Sequence, residues 1–336
     1  MAGGSNPPSA TSPPDPIARL AAAVARGTDA LQLPSDAPFV LAVSGGPDST
    51  ALLHGAARLM ADGARAWKLT VAHLDHGLRD GSATDAARVG EVAAGLGLAF
   101  RTSRTDIAAL ARDEGRSLED AGRQARYRFL EDVAGGAGPD ALIATAHTAD
   151  DLAETILLRI VRGSGLRGLR GIPARRGRVV RPLLAERRTG LREALDQAGI
   201  SYLLDPTNDD PSYAERNRIR SEVLPALERI NPRAVDALLR LSANAAADDD
   251  LLDALAAAEL ARRRSGGGID WHDPPHRAIG RRVMRLAAGD PAPSAERIEA
   301  LLDAAEGPRG GLTVELGGGR EATVRERRIV FGLPVE

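Results

Sequence analysis

Short apolar runs alternate with helical periods through the first two thirds of the chain. Residues 39–43 (FVLAV) form an unbroken apolar run that ends at a pair of glycines. Such a run predicts a strand buried on both faces. Residues 69–72 and 141–144 repeat the pattern, and residues 100–102 carry a weaker version. Helical spacing covers residues 17–31, 50–60, 85–96 and 149–161, the last closed by Gly163. Ser117 opens another helix: its hydroxyl suits an N-cap, and Glu119 and Asp120 complement the first turn. Strands alternating with helices predict a doubly wound, mostly parallel α/β sheet. In such sheets ligands collect beyond the carboxyl ends of the strands. The segments after Val43, Ala72 and Ala144 are therefore where chemistry is expected.

Further along, residues 201–204 read as a last short strand, and residues 205–212 (DPTNDDPS) as an Asx- and Pro-rich loop. Helices are expected over residues 214–230 and 234–264, then a linker at Gly266, Gly267 and Gly268. Helices over 279–287 and 294–305 and strands around 312–316, 322–324 and 329–331 make a small α+β module. The expected organisation is a disordered Gly/Ser/Pro-rich tail (1–16), a catalytic α/β domain (17–230), a helical linker (231–265) and the small α+β domain (266–336).

Composition changes this picture in three places. The 336-residue chain has no cysteine, which removes disulfides, thiolate metal sites, iron–sulfur clusters and cysteine nucleophiles together. It has neither the roughly 20-residue apolar run of a membrane helix nor the layout of a signal peptide, so no membrane partner and a cytoplasmic location are expected. The net charge of -2 hides a local stripe. Between Arg159 and Arg192 lie Arg162, Arg167, Arg170, Arg175, Arg176, Arg178, Arg181, Arg187 and Arg188, with Glu186 the one acid among them. A stripe of this kind suits a phosphate backbone, or else is a solvated basic loop.

Ser44-Gly45-Gly46-Pro47-Asp48-Ser49 follows the first buried strand and opens a helix. Two glycines let backbone N–H groups crowd an anion, and the helix N-terminus adds partial positive charge. Asp48 would repel a phosphate unless a cation intervenes, which implies Mg²⁺. No lysine stands in the Walker position, so this is a different phosphate loop. His73 and Asp75 follow the second strand; a metal site there competes with simple hydrogen bonding between neighbours. After the fourth strand, His147-Thr148-Ala149-Asp150-Asp151-Leu152-Ala153-Glu154-Thr155 puts three acids near one helix start. Capping by Thr148 and the helix dipole explain one or two of them; three with a histidine exceed that need.

The SGGPDS string resembles the SGGxDS loop of the N-type ATP pyrophosphatases (the PP-loop superfamily), which break ATP between its α and β phosphates. Five further segments resemble the tRNA(Ile)-lysidine synthetase family: the HLDHGLR string from His73; HTADDLAET from His147; RGSGLRGL from Arg162; RPLL from Arg181; and the pair DPTN from Asp205 with RNRIR from Arg216. A sixth, the helix opened by Ser117, carries the family's ARY at residues 125–127, in which Arg123 and Tyr127 share a face. The likeness covers roughly residues 39–232.

That resemblance implies an adenine-nucleotide α-hydrolase-like fold, with ATP as co-substrate and Mg²⁺ held by Asp48 and Glu154. Ser44, Gly45, Gly46, Pro47, Asp48, Ser49, His73, Asp75 and His147 would bind the nucleotide. Asp48, Asp151, Glu154 and Arg218 would be catalytic. Arg126, Asp150, Asp151, Glu154, Arg162, Arg167, Arg216 and Asn217 would meet the other substrates, L-lysine and an isoleucine tRNA with a CAU anticodon. Asp151 or Glu154 would orient the lysine amine, and the general base stays unassigned. The small C-terminal domain would bind tRNA, and whether the chain forms a homodimer stays open. The thiolases of the same superfamily usually bring a catalytic cysteine or cluster, which this chain lacks. Ammonia-using relatives need a glutaminase that is absent here, and a non-catalytic RNA binder has no use for carboxylates beside phosphates.

Overall fold

The structure, a computed structural model, describes residues 15–77, 82–204, 215–307 and 311–332. The expected tail (apart from Asp15 and Pro16), residues 78 and 79 of the HLDHGLR string and the DPTNDDPS loop lie outside the described residues. In chain order the first elements are α1 (Pro16–Ala30), β1 (Pro38–Ala42), α2 (Pro47–Ala61), β2 (Lys68–Asp75), α3 (Ser82–Gly95) and β3 (Ala99–Arg104). Then come α4 (Ile107–Glu114), α5 (Leu118–Ala137), β4 (Leu142–Ala144), α6 (Ala149–Val161), α7 (Leu166–Leu169), β5 (Arg175–Arg176), β6 (Val179–Val180) and α8 (Arg188–Gln197). After α9 (Glu215–Arg218) a π-helical turn (Ile219–Val223) leads into α10 (Leu224–Ile230) and α11 (Ala234–Arg263).

The first sheet has the order β3-β2-β1-β4-β6-β5, parallel throughout except at β5. This is the expected doubly wound α/β sheet. The chain builds outward from β1 to β3 and then returns to place β4 on the other side of β1. Loops leaving β1 and β4 diverge there, which opens the crevice such folds use for ligands. Strand alternation explains why β1 reads as an unbroken apolar run. Phe39 and Leu41 enter the core formed with α1, α2 and α8, while Val40 enters the opposite core with Leu130 and Ala134 of α5. Both faces are covered, so neither has a polar set.

The structure differs from the expected elements in several places, among them the expected helix 214–230, which the π-helical turn at Ile219–Val223 interrupts. Residues 201–204 form no strand; Leu203 instead donates its N–H to the Gly45 carbonyl at 2.8 Å. The sheet edge is the β5–β6 hairpin, whose two apolar residues among arginines are too few to show a period. Helix α4 has an Asp106 cap and a left-handed Gly115 end that the apolar pattern did not single out. Helix α8 lies inside the arginine stripe, yet Leu191, Ala194 and Leu195 give it a buried face.

The chain divides into two compact units, Met1–Ser242 and Ala243–Glu336, and the boundary falls within α11. In the second unit β7 (Arg264–Ser265), β8 (Gly268–Asp270), α12 (Arg277–Ala288), α13 (Ala295–Glu306), β9 (Leu312–Gly317), β10 (Arg320–Arg325) and β11 (Arg328–Gly332) follow. They form an antiparallel sheet, β7-β8-β11-β10-β9, around Trp271, Met284, Leu301 and Leu302. The three glycines expected as a linker make the β7–β8 hairpin, with Gly266 and Gly267 at φ of +49° and +79°. Positive φ at two successive turn positions is what the glycines supply.

Helices α1 and α2 approach each other closely at Gly55. A Cβ there would lie 2.6 Å from the Leu20 carbonyl oxygen and 2.8 Å from a Val24 methyl. Gly55→Val should therefore destabilise the protein by about 1–3 kcal/mol through overpacking. Gly135→Ala, in α5 with nothing within 4 Å of its new methyl, should stabilise it by about 0.5–1 kcal/mol. Urea midpoints at unchanged slope would read both; equal shifts would refute the close approach.

Candidate active site

The loop after β1 enters α2 with no side-chain cap on its first turn. Gly45 sits at φ +88°, and a Cβ would lie 2.5 Å from Leu203, so only glycine fits. Ser49 Oγ donates to the Gly46 carbonyl at 2.9 Å and accepts from the Ser44 N–H at 3.2 Å. These bonds hold the loop as a ring around the open helix N-terminus, with Pro47 fixing the first helical position.

Across the crevice, Thr148 caps α6. Its hydroxyl accepts from the Asp151 N–H, while Asp151 Oδ2 accepts from the Thr148 N–H at 2.8 Å. The capping box uses one Asp151 oxygen and leaves Oδ1 for arginines. Arg188, the first residue of α8, reaches three acids at once. Its Nε is 3.1 Å from Asp48 Oδ2, Nη2 is 3.0 Å from Asp151 Oδ1 and Nη1 is 3.2 Å from Glu154 Oε1. Arg216 Nε donates to Glu154 Oε2 at 2.7 Å, and Arg220 Nε to Glu154 Oε1 at 2.8 Å. Glu154 is 0% exposed, and guanidinium groups meet both of its oxygens.

Electrostatics separate the carboxylates. Burial pushes the Asp48 carboxyl above its ordinary range; Arg188 opposes the rise and Asp151 adds to it. Burial acts on Asp151 in the same sense, but Arg188 and Arg216 outweigh it and hold that carboxyl below the usual range. Burial brings His147 down to about 4, so it is neutral near pH 7, with Nδ1 2.9 Å from the Thr145 hydroxyl.

The remaining expected residues divide. His73 Nδ1 lies 2.8 Å from the Val43 carbonyl oxygen, which ties the end of β2 to the start of the glycine loop. Asp75 accepts from the Gly77 N–H at 2.9 Å and faces Arg104 Nε at 3.6 Å rather than a histidine. Asp150 is occupied: Arg187 holds it, and Oδ2 accepts the Arg188 N–H at 2.7 Å, capping α8. Arg218 is exposed, with no bond to the acids among the described residues. The i,i+4 pair Arg216 and Arg220 points at α6 instead, and a residue midway between them faces elsewhere. Asn217 is buried. Arg126 lies 3.2 Å from His76 Nε2, and Arg123 stacks on Tyr127. Arg167 is exposed, and Arg162 pairs with Glu215. Arg159 donates to the Gly168 and Gly171 carbonyls at 2.7 and 3.0 Å, which folds the RGSGLRGL segment back on α6.

Arg188 and Arg220 were not among the expected site residues. Arg188 is one arginine in a stripe, and only the topology reveals that α8 begins opposite the glycine loop. Arg220 is more legible, because it stands four residues after Arg216 in a predicted helix; the structure places it within a π-helical turn, a common feature of functional sites.

Residues 20–227 match the PP-loop domain family. The chain is 38% identical to the tRNA(Ile)-lysidine synthase of Thermobifida fusca (strain YX), over 95% of this chain and 98% of that one. It is 42% identical to the protein of the same name from Salinispora tropica, over 76% and 75% of the two chains. The chain belongs to the tRNA(Ile)-lysidine synthase family. It is accordingly an ATP-using enzyme with a PP-loop domain. Among solved structures it is similar to the U34-tRNA thiolase NcsA of Methanococcus maripaludis, at 14% identity and a TM-score of 0.55 over 68% of this chain and 79% of that one, a likeness of fold alone.

The PP-loop offers a donor for a divalent cation. Asp48 Oδ1 is buried without a hydrogen-bond partner among the described residues, which suits a hard cation. Glu154 fits that role poorly, because both its oxygens already accept from arginines. No group of three or more acidic or histidine side chains forms a ready cage among the described residues.

The raised Asp48 carboxyl makes its charge a burden on the fold. An acid with a raised folded-state pKa destabilises once pH exceeds its unfolded value and has no effect below it. Asp48→Asn should therefore raise the thermal midpoint near pH 7, and the gain should vanish as pH falls below about 4. A variant destabilised at pH 7 would show instead that the pairing of Asp48 with Arg188 outweighs the cost of burying its charge.

Proposed function

We propose that this enzyme joins L-lysine to carbon 2 of the wobble cytidine in an isoleucine tRNA with a CAU anticodon, cleaving ATP to AMP and pyrophosphate. The observation that carries the reading is the carboxylate pair Asp151 and Glu154, set beside the glycine loop in a chain of the lysidine synthase family. The loop suits a triphosphate, and the buried acids suit an alkylammonium.

The exocyclic 2-oxygen of the cytosine attacks the α-phosphorus, pyrophosphate leaves, and that oxygen carries the adenylyl group, which activates carbon 2. The lysine ε-amine then attacks carbon 2, and the C–O bond breaks to release AMP. Loop N–H groups hold the phosphates, while Arg188, Arg216 and Arg220 are the cations near enough to offset charge growing on pyrophosphate. Mg²⁺ at Asp48 would screen the phosphate oxygens from the carboxylates. Asp151 and Glu154 orient the amine, which must lose a proton before it attacks because its ordinary pKa is about 10. Neutral His147 lies close enough to Asp151 to feel its charge. Arg162, Arg167 and the exposed β5 arginines, Arg175 and Arg176, offer charge to the tRNA backbone. The second unit supplies further tRNA contacts, and the cytoplasm is where the substrates meet.

Labelled lysine should enter CAU-anticodon tRNA only when ATP is present. Asp48→Ala and Glu154→Ala should each lower the rate at least about 100-fold, with helical circular dichroism retained. Release of AMP and pyrophosphate without labelled RNA would point to a different acceptor, and full activity of either variant would remove its residue from the mechanism.

A further inference from the structure

Acids and bases balance at the site. Asp48, Asp151 and Glu154 carry three negative charges; Arg188, Arg216 and Arg220 carry three positive ones. The carboxylates that would receive an amine are therefore already neutralised by the chain's own guanidinium groups. An incoming ammonium gains little there unless one of these cations withdraws.

Arg188 is the one built to withdraw. Its backbone is fixed, because Asp150 Oδ2 accepts its N–H at 2.7 Å and Leu191, Ala194 and Leu195 bury the α8 face behind it. Its side chain alone spans from Asp48 of the phosphate loop to both acids of α6. A polyanion on the loop would compete with the carboxylates for that guanidinium at a site only a few ångströms away. Arg216 and Arg220 pair with Glu154 without help from Arg188, so departure of the Arg188 guanidinium alone would leave a vacancy with the dimensions of one cation.

Resting on the lysine-ligase reading above, we infer that Arg188 is a positioning residue that fills the amine site in the nucleotide-free enzyme and hands it over when a triphosphate binds. Lysine and ATP then bind with positive coupling, which is reciprocal by linkage. The amine is admitted only where a phosphate chain is already in place, which suppresses idle occupation by other cations.

Calorimetric titration of L-lysine into the full-length protein, with and without α,β-methylene ATP and Mg²⁺, tests this. In the wild-type protein the nucleotide should tighten lysine binding at least about tenfold. In Arg188→Gln the two affinities should agree within about threefold, because the nucleotide-free site is already open. Arg188→Lys keeps a charge that can reach only part of the triad and should restore part of the coupling; it also guards against a variant that fails to fold. A purely structural role would change stability and leave the ratio of affinities as in wild type. Tenfold coupling retained in Arg188→Gln, or no coupling in wild type, would overturn the inference. If wild type still incorporates lysine into tRNA in that event, the proposed activity stands alone; if it neither binds nor incorporates lysine, that reading falls as well.

Discussion

The site depends on one buried ion network. Asp48 from the loop after β1, Asp151 and Glu154 from α6, Arg188 from α8, and Arg216 and Arg220 around the π-helical turn meet at distances of 2.7–3.2 Å. Each would be costly to bury alone; leaving one partner unpaired typically costs about 3–5 kcal/mol. The network therefore ties four separate backbone segments to each other, and it does so beyond the carboxyl ends of β1 and β4, where the winding of the sheet reverses.

Hydrophobic packing carries the network rather than the reverse. Ala149 and Ala153 of α6 pack with Leu224 and Val235, leaving the acidic face of α6 toward the crevice. Leu191, Ala194 and Leu195 seat α8 on the core shared with α1 and α2. The apolar positions thus decide where Glu154 and Arg188 stand, and the charges decide what the crevice accepts. Pro225, just inside α10, cannot donate a helical hydrogen bond, and the π-helical turn before it lets the chain adjust while Arg216 and Arg220 both reach Glu154.

Much of this was legible in the sequence. The FVLAV run, the glycine loop and the acidic helix start are local features, each within a dozen residues, so periodicity and turn chemistry read them directly. The family likeness of these same strings anticipated the relatives that the comparisons found. What was not legible depends on contacts distant in the chain. Arg188 lies 140 positions from Asp48, and nothing local distinguishes it from Arg187, which serves Asp150 and Glu228 instead. Asp150, Asp151 and Glu154 look equivalent as letters, yet Asp150 spends its oxygens on α8. Arg218 sits between two arginines that face α6 and does not face it itself. The last strand was misplaced for a related reason: two valines in a basic hairpin outcompete residues 201–204 for the sheet edge only because β4 presents a parallel partner there.

Asp48 and Arg188 join the phosphate loop to the acidic helix as one energetic unit. A double-mutant cycle in urea, using Asp48→Asn, Arg188→Met and the pair, measures that linkage directly. The coupling free energy should be about 1 kcal/mol or more at pH 7 and should shrink as the pH drops into the carboxylate range. Additive effects at every pH would contradict it, and would leave the loop and the acidic helix as neighbours without a shared lock.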